Sequence, residues 1–364
     1  HGYMNPSGGT RGYVIITNVR VYKISAQIGS TFDADWVDLS GSDLTDPLLE
    51  PLPIEPEPEV GWDMFRDKLV IAPGNNAIRT WNGAAGTLTN LGGSPPQARD
   101  FVFYGERGIL GRLRTGSPAS LSTIRWSAQG DIDTWTGTFT SELESLPGQT
   151  VKLARVGRHV LAFKPHGIVR LNISPSAVTP FAQDPVDDGI GLSGVHALGV
   201  YKNRAYWVGP ESIYAIEGSA IRDIGRPVHG SLIAVAGTTG VVRSVAIFTY
   251  KNTDLDEVLF SAAPGAGNNI YSYAPHWGTW SRRDMGGAVT FGAIGYDSIP
   301  GTGNDRLMDP RTFFSSGVIS TGQVYRLSDD YTYAASFPTT SLASYGWRDF
   351  GTKLRKRLLA YIPE

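Results

Sequence analysis

Six times along this 364-residue chain, two short apolar-rich runs flank a stretch of turn-forming residues. The pairs are Lys68–Ala72 with Ala77–Trp81, Gly108–Leu113 with Ser122–Trp126, His159–Phe163 with Ile168–Leu171, Arg204–Val208 with Ser212–Ile216, Glu257–Phe260 with Asn269–Tyr273, and Thr312–Phe314 with Gln323–Leu327. Each reads as a β-hairpin. The first apolar residues of the second strands, Ile78, Ile124, Ile168, Ile213, Ile270 and Val324, follow one another at 46, 44, 45, 57 and 54 residues. A repeat of this size supplies one small sheet per unit, and such a sheet buries both faces only when its neighbours stack around an axis. The expected fold is therefore all-β, a toroidal β-propeller of six or seven blades with N- and C-terminal extensions. A further pair, Gly12–Thr17 and Val19–Ile24, precedes the first repeat by a comparable interval and is either another blade or the strand that closes the ring. The alternative is a β-sandwich followed by a second β-domain, because alternation alone does not fix closure.

The division read from the sequence is 1–60 for the N-terminal strands and a Pro-rich crossover, 61–340 for the propeller, and 341–364 for a C-terminal β segment that could begin a further domain. Asp46–Pro58 carries Pro at intervals that force an extended, polyproline-like path, read as a stiff crossover rather than a ligand for a proline-reading module. The abundance of glycine (44) and aromatics (16 Tyr, 14 Phe, 9 Trp) beside only 18% charged residues suits many short strands joined by tight turns. A formal net charge of −2 gives no electrostatic reason to wrap nucleic acid or adhere to anionic membrane. The absence of Cys removes disulfides, thiolate nucleophiles and Cys-containing metal sites. No apolar run approaches the roughly 20 residues of a bilayer span, and no signal-peptide pattern opens the chain, so a soluble protein is expected. The first residue, His1, and the strand-like run ending at Glu364 read as the ends of a processed or partial product.

Candidate chemistry is sparse. The six His show neither H-E-x-x-H nor an i, i+4 pair. Acidic pairs stand at Asp33/Asp35, Asp131/Asp133, Asp187/Asp188, Asp254/Asp256 and Asp329/Asp330, where loop Asp residues stabilise turns by accepting backbone N–H bonds. Asp184–Gly189 lacks the ligand order of an EF-hand. There is no nucleophile elbow and no phosphate loop. Ser127–Trp135 has the Ser, Asp and Thr-Trp of a sialidase box without its spacing. The sequence points to no catalytic centre, no cofactor and no metal.

The wording of the hairpins resembles the β-propeller tail proteins of tailed bacteriophages, above all the nozzle, or tail tubular protein B, of short-tailed phages. The segments concerned are Phe65–Gly83 with its "W-N-G" ending, Ile124–Thr136, Val156–Leu171, Asp188–Ser193, Tyr206–Gly218, Trp277–Ser281 and Asp349–Arg357. The resemblance implies a structural virion protein, assembled in the host cytoplasm as a homo-oligomeric, hexameric ring. Such a ring would dock on tail proteins such as an adaptor and pass double-stranded DNA through its lumen. The rival reading is a secreted carbohydrate-active or glycan-binding propeller, which would need convergent carboxylates and an aromatic platform on one face.

The densest basic run is Lys353–Arg357. Alternation along a strand sends Lys353, Arg355 and Arg357 to one face. They read as a solvated strand edge that discourages mispairing, as a subunit interface, or as a weak nucleic-acid patch.

Overall fold

The computed structural model describes residues 2–4, 11–16, 20–24, 36–44, 60–83, 86–114, 121–176, 179–228, 230, 246–251, 256–261, 269–284, 289–298, 308–316 and 324–327. The Pro-rich crossover lies outside them. Among the described residues the chain forms seven small antiparallel sheets in sequence order, not the two large sheets of a sandwich. Sheet 1 comprises β1 (Gly2–Met4), β2 (Arg11–Ile16), β3 (Val21–Ile24) and β4 (Trp36–Asp38), and sheet 2 β5 (Gly61–Phe65), β6 (Lys68–Ala72), β7 (Arg79–Trp81) and β8 (Thr89–Asn90). Sheet 3 is β9 (Ala98–Tyr104), β10 (Arg107–Leu113), β11 (Thr123–Trp126) and β12 (Thr140–Glu142); sheet 4 is β13 (Lys152–Val156), β14 (His159–Lys164), β15 (Gly167–Ile173) and β16 (Phe181–Asp187). Sheet 5 is β17 (Leu198–Tyr201), β18 (Arg204–Val208), β19 (Ile213–Glu217) and β20 (Ala220–Asp223). Sheet 6 is β21 (Ala246–Lys251), β22 (Asp256–Ser261), β23 (Asn269–Ala274) and β24 (Thr279–Asp284), and sheet 7 β25 (Val289–Ser298), β26 (Met308–Ser316) and β27 (Val324–Leu327).

The six hairpins of the sequence repeat are the second and third strands of sheets 2 to 7, and the N-terminal pair occupies the same place in sheet 1 as β2 and β3. The second strands of sheets 2, 3 and 4 read as unbroken apolar runs because period-two alternation sends their residues into two different cores. On β6, Leu69 and Ile71 join a cluster with Val14, Val21 and Leu39 of the preceding sheet, while Val70 and Ala72 join Phe101 and Leu110 of the following one. On β14, Val160 and Ala162 face Val102 and Ile109, and Leu161 and Phe163 face Tyr206 and Trp207. Sheets 2, 3 and 4 are thus layers with apolar neighbours on both sides, and each fully buried large side chain contributes about 1.5–3 kcal/mol. The fourth strands carry the polar side: β12 and β20 are mostly exposed.

The first strands of consecutive sheets lie beside one another, β5 by β9, β9 by β13, β13 by β17, β17 by β21 and β21 by β25. Two carboxylates cross between them. Asp63 on β5 accepts the Phe103 amide of β9 at 2.8 Å, and Asp100 on β9 accepts the Leu153 amide of β13 at 3.1 Å. Both bonds satisfy strand-edge donors that no ladder reaches. Asp100 also stands 3.9 Å from Arg112, with both side chains 2% exposed. The β5–β9 approach is so close that a Cβ at Gly61 would fall 2.2 Å from the Arg99 carbonyl. Farther out, the buried Lys164 ammonium donates to the carbonyls of Leu143 (2.6 Å) and Leu146, tying sheet 4 to sheet 3. Burial pushes its pKa down, against the pull of Glu142.

Burial pushes the Asp63 carboxyl above its ordinary value of 3.8, and the Phe103 and Met64 amides and Arg155 only partly offset this. The folded-state pKa is therefore higher than the unfolded one. Its contribution to stability is fully present below the unfolded pKa and declines as pH rises through the folded value. Denaturant unfolding should show the stability of Asp63→Asn gaining on wild type as pH rises through that window, with no such trend for a surface Asp→Asn control. Asp100→Ala, which leaves the Leu153 amide and the Arg112 guanidinium without this carboxylate, is expected to cost about 3–5 kcal/mol in the same assay.

Candidate ligand-binding cleft

Four consecutive sheets join their first two strands through two-residue turns: Arg66–Asp67, Gly105–Glu106, Gly157–Arg158 and Lys202–Asn203. Gly105 and Glu106 have φ of 59° and 58°, and Lys202 and Asn203 of 46° and 63°, the paired positive values of a type I′ hairpin turn. Arg66, at 55°, shares the left-handed region. Such turns are short and matched to strand twist, so they present their side chains from nearly fixed positions.

The last three turns surround an open cleft of about 540 Å³, within the range of small-molecule sites. Its apolar wall is Phe103 and Val200, the latter 40% exposed. Its polar lining is Glu106, Arg155, Lys202 and Asn203. The Arg155 guanidinium donates to the Phe103 carbonyl at 3.2 Å, which places it across the sheet 3–sheet 4 junction. Tyr104 closes the floor: its hydroxyl donates to the Arg158 carbonyl at 2.6 Å and its ring stacks on Phe181 at 5.9 Å. Burial pushes the Tyr104 phenol up, partly offset by the Ile173 backbone. The carboxylate of Glu106 is held by Arg66 of sheet 2 at 3.0 Å; the other charged side chains of the lining are Arg155 and Lys202.

Lys353, Arg355 and Arg357, expected to form a subunit interface, lie outside the described residues, as do Asp33/Asp35, Asp254 and Asp329/Asp330. Two other acidic pairs hold turns. Asp131 accepts the Asp133 amide at 2.8 Å and the Thr134 hydroxyl at 2.7 Å, and Asp187 accepts the amides of Gly189 and Ile190 at 2.8 and 2.6 Å. The hydrogen bonds of Thr134 and Asp133 hold the Asp131 carboxyl below the usual range. Among the described residues no three His, Asp or Glu side chains converge as metal ligands, and no helix is long and apolar enough to cross a membrane. The cleft residues Glu106, Arg155, Val200, Lys202 and Asn203 were not singled out by the sequence. The signal that finds Glu106, Lys202 and Asn203 is the recurrence of a turn dipeptide just ahead of the apolar second strands of four sheets.

No protein-family profile matches the chain, and no curated protein does. Solved structures that match include PorZ, a bacterial surface component of the type-IX secretion system of Porphyromonas gingivalis, at 10% identity and a TM-score of 0.47, covering 96% of this chain and 38% of that one. The Cps50 (Swd1) β-propeller domain of Myceliophthora thermophila matches at 10% identity and a TM-score of 0.49, covering 90% and 96%, and the GH74 xyloglucanase of Xanthomonas campestris at 10% and 0.48, covering 84% and 41%. This chain thus spans well under half the length of PorZ and of the xyloglucanase. At such identities and scores these likenesses carry no argument about function.

The expectation of a phage tail nozzle is corrected here. Bacterial surface and extracellular proteins stand among the matches, and no family profile supports the resemblance. The nozzle role, the virion location and assembly in the host cytoplasm fall with it. The structure gives the physical reason: Asp349–Arg357 lies outside the described residues, and the other segments that carried the resemblance are turns between consecutive strands and the strands and loops beside them. Ile124–Thr136, for instance, is β11 followed by the turn that Asp131 caps. Such wording records strand and turn geometry, which any stacked small sheet requires.

Tyr104→Phe should remove the link between two cleft turns. The expected cost is about 0.5–1.5 kcal/mol in denaturant unfolding, with faster amide hydrogen exchange at Gly157 and Arg158 than in wild type. Unchanged exchange there would show that the turns hold their places without it.

Proposed function

We propose that the seven sheets are the blades of one toroidal β-propeller, and that the chain is a non-catalytic glycan-binding module taking an acidic saccharide in the cleft. The ring is supported by the succession of first strands and by the approach of β1 to β25, which brings the first and last sheets together. The observation that carries the function is the cleft's chemistry: Arg155 and Lys202 stand beside the apolar surface of Val200 and Phe103, and the lining carboxylate, Glu106, is already paired with Arg66. Guanidinium and ammonium groups suit a sugar carboxylate or sulfate. Asn203 offers both a donor and an acceptor to hydroxyls, and the apolar wall suits the C–H face of a sugar ring. Glycoside hydrolysis needs two carboxyl groups about 5–9.5 Å apart, whereas this lining holds one, engaged in an ion pair.

Calorimetric titration with oligogalacturonate and with a neutral oligosaccharide of equal length tests this reading. Binding of the acidic chain alone is expected, weakened at least tenfold in Arg155→Ala and in Lys202→Ala, with no release of reducing ends. Equal affinity for the neutral chain, no binding of the acidic one, or hydrolysis lost in Glu106→Gln would each overturn it.

A further inference from the structure

Arg66 does not line the cleft, yet the geometry points to it as the residue that sets the cleft's preference for anions. Its guanidinium stands 3.0 Å from the Glu106 carboxylate, and the two side chains come from different sheets. Three contacts fix this placement. The guanidinium lies over the Phe65 ring at 5.6 Å, and it sits so close to Gly130 that a Cβ there would meet its Nη2 at 3.3 Å. The Gly130 amide in turn donates to the Glu106 carbonyl at 2.7 Å, so one loop holds both the turn that carries the carboxylate and the surface against which its partner rests. Arg66 also keeps a left-handed φ of 55° that most side chains avoid.

A carboxylate in the lining would repel an acidic ligand and compete for Arg155 and Lys202. Arg66 balances that charge through its ion pair with Glu106. It is a positioning residue for Glu106 rather than a ligand contact. This inference rests on the reading of the cleft as an anion site, and it extends that reading to the control of specificity.

The test uses the full chain and two probes. Inorganic sulfate is titrated while the backbone amide resonances of Gly157 and Asn203 are followed, and oligogalacturonate binding is measured by calorimetry. Arg66→Asn removes the charge with a residue that tolerates the left-handed turn, and Arg66→Gly is the second variant should Asn perturb folding. Both are expected to weaken sulfate and oligogalacturonate about two- to fivefold, as befits one solvent-exposed charge, with the loss shrinking at high ionic strength. Arg66→Lys should hold near wild-type affinity, and Arg66→Asn with Glu106→Gln should recover it, which a merely structural role of Arg66 would not produce. Equal sulfate affinity in wild type and Arg66→Asn, failure of the double variant to recover, or no sulfate-dependent shift in wild type overturns the inference. If sulfate follows the expected order while oligogalacturonate does not bind, the saccharide reading alone falls.

Discussion

The architecture turns on a problem where the first strands of neighbouring sheets meet. A four-stranded sheet leaves the outer side of its first strand without a ladder partner, and these first strands lie where neighbouring sheets press closest together. Unpaired amides there would be costly. Asp63 and Asp100 answer this by reaching from one first strand to an amide of the next, with the donors offset by two residues between the two junctions. Charge is accepted in a crowded place so that backbone is not left bare. Removal of one such carboxylate would therefore disturb the packing of two sheets, and hence the cores on either side of β6 and β10.

The second and third strands were legible because they are the most apolar and lie between turn residues. The first and fourth strands were not. Ala98–Tyr104 holds Arg99 and Asp100, polar residues that no periodic reading places in a core, although both are almost wholly buried. Thr140–Glu142 and Ala220–Asp223 are outer strands whose exposed residues carry no apolar alternation at all. The repeat therefore disclosed the presence of small sheets better than their content. The N-terminal pair, left between blade and closing strand, sits in a four-stranded sheet that shares a core with Leu69 and Ile71.

The cleft was illegible for a related reason. Its residues belong to three sheets and stand far apart in the chain, from Phe103 to Asn203, so no local motif joins them. Local motifs instead drew attention to Asp131 and Asp187, which spend their lone pairs on their own turns. They also drew it to a virion family whose quoted words are the vocabulary of strand and turn. Short-range wording reports how a chain bends, whereas a binding surface assembled by stacking is written in the spacing between bends.

The two-residue turns have one more consequence. Arg-Asp, Gly-Glu, Gly-Arg and Lys-Asn occupy equivalent backbone positions while differing in charge and size. Each is a cassette held by a hairpin that needs only a tolerance for left-handed backbone. Paralogues could therefore change the charge and shape of the cleft lining by exchanging dipeptides, one sheet at a time, while the layered cores beneath stay unaltered. In such a lineage the turn residues would drift quickly and the scaffold slowly, which would leave common ancestry hard to see in the very residues that distinguish its members.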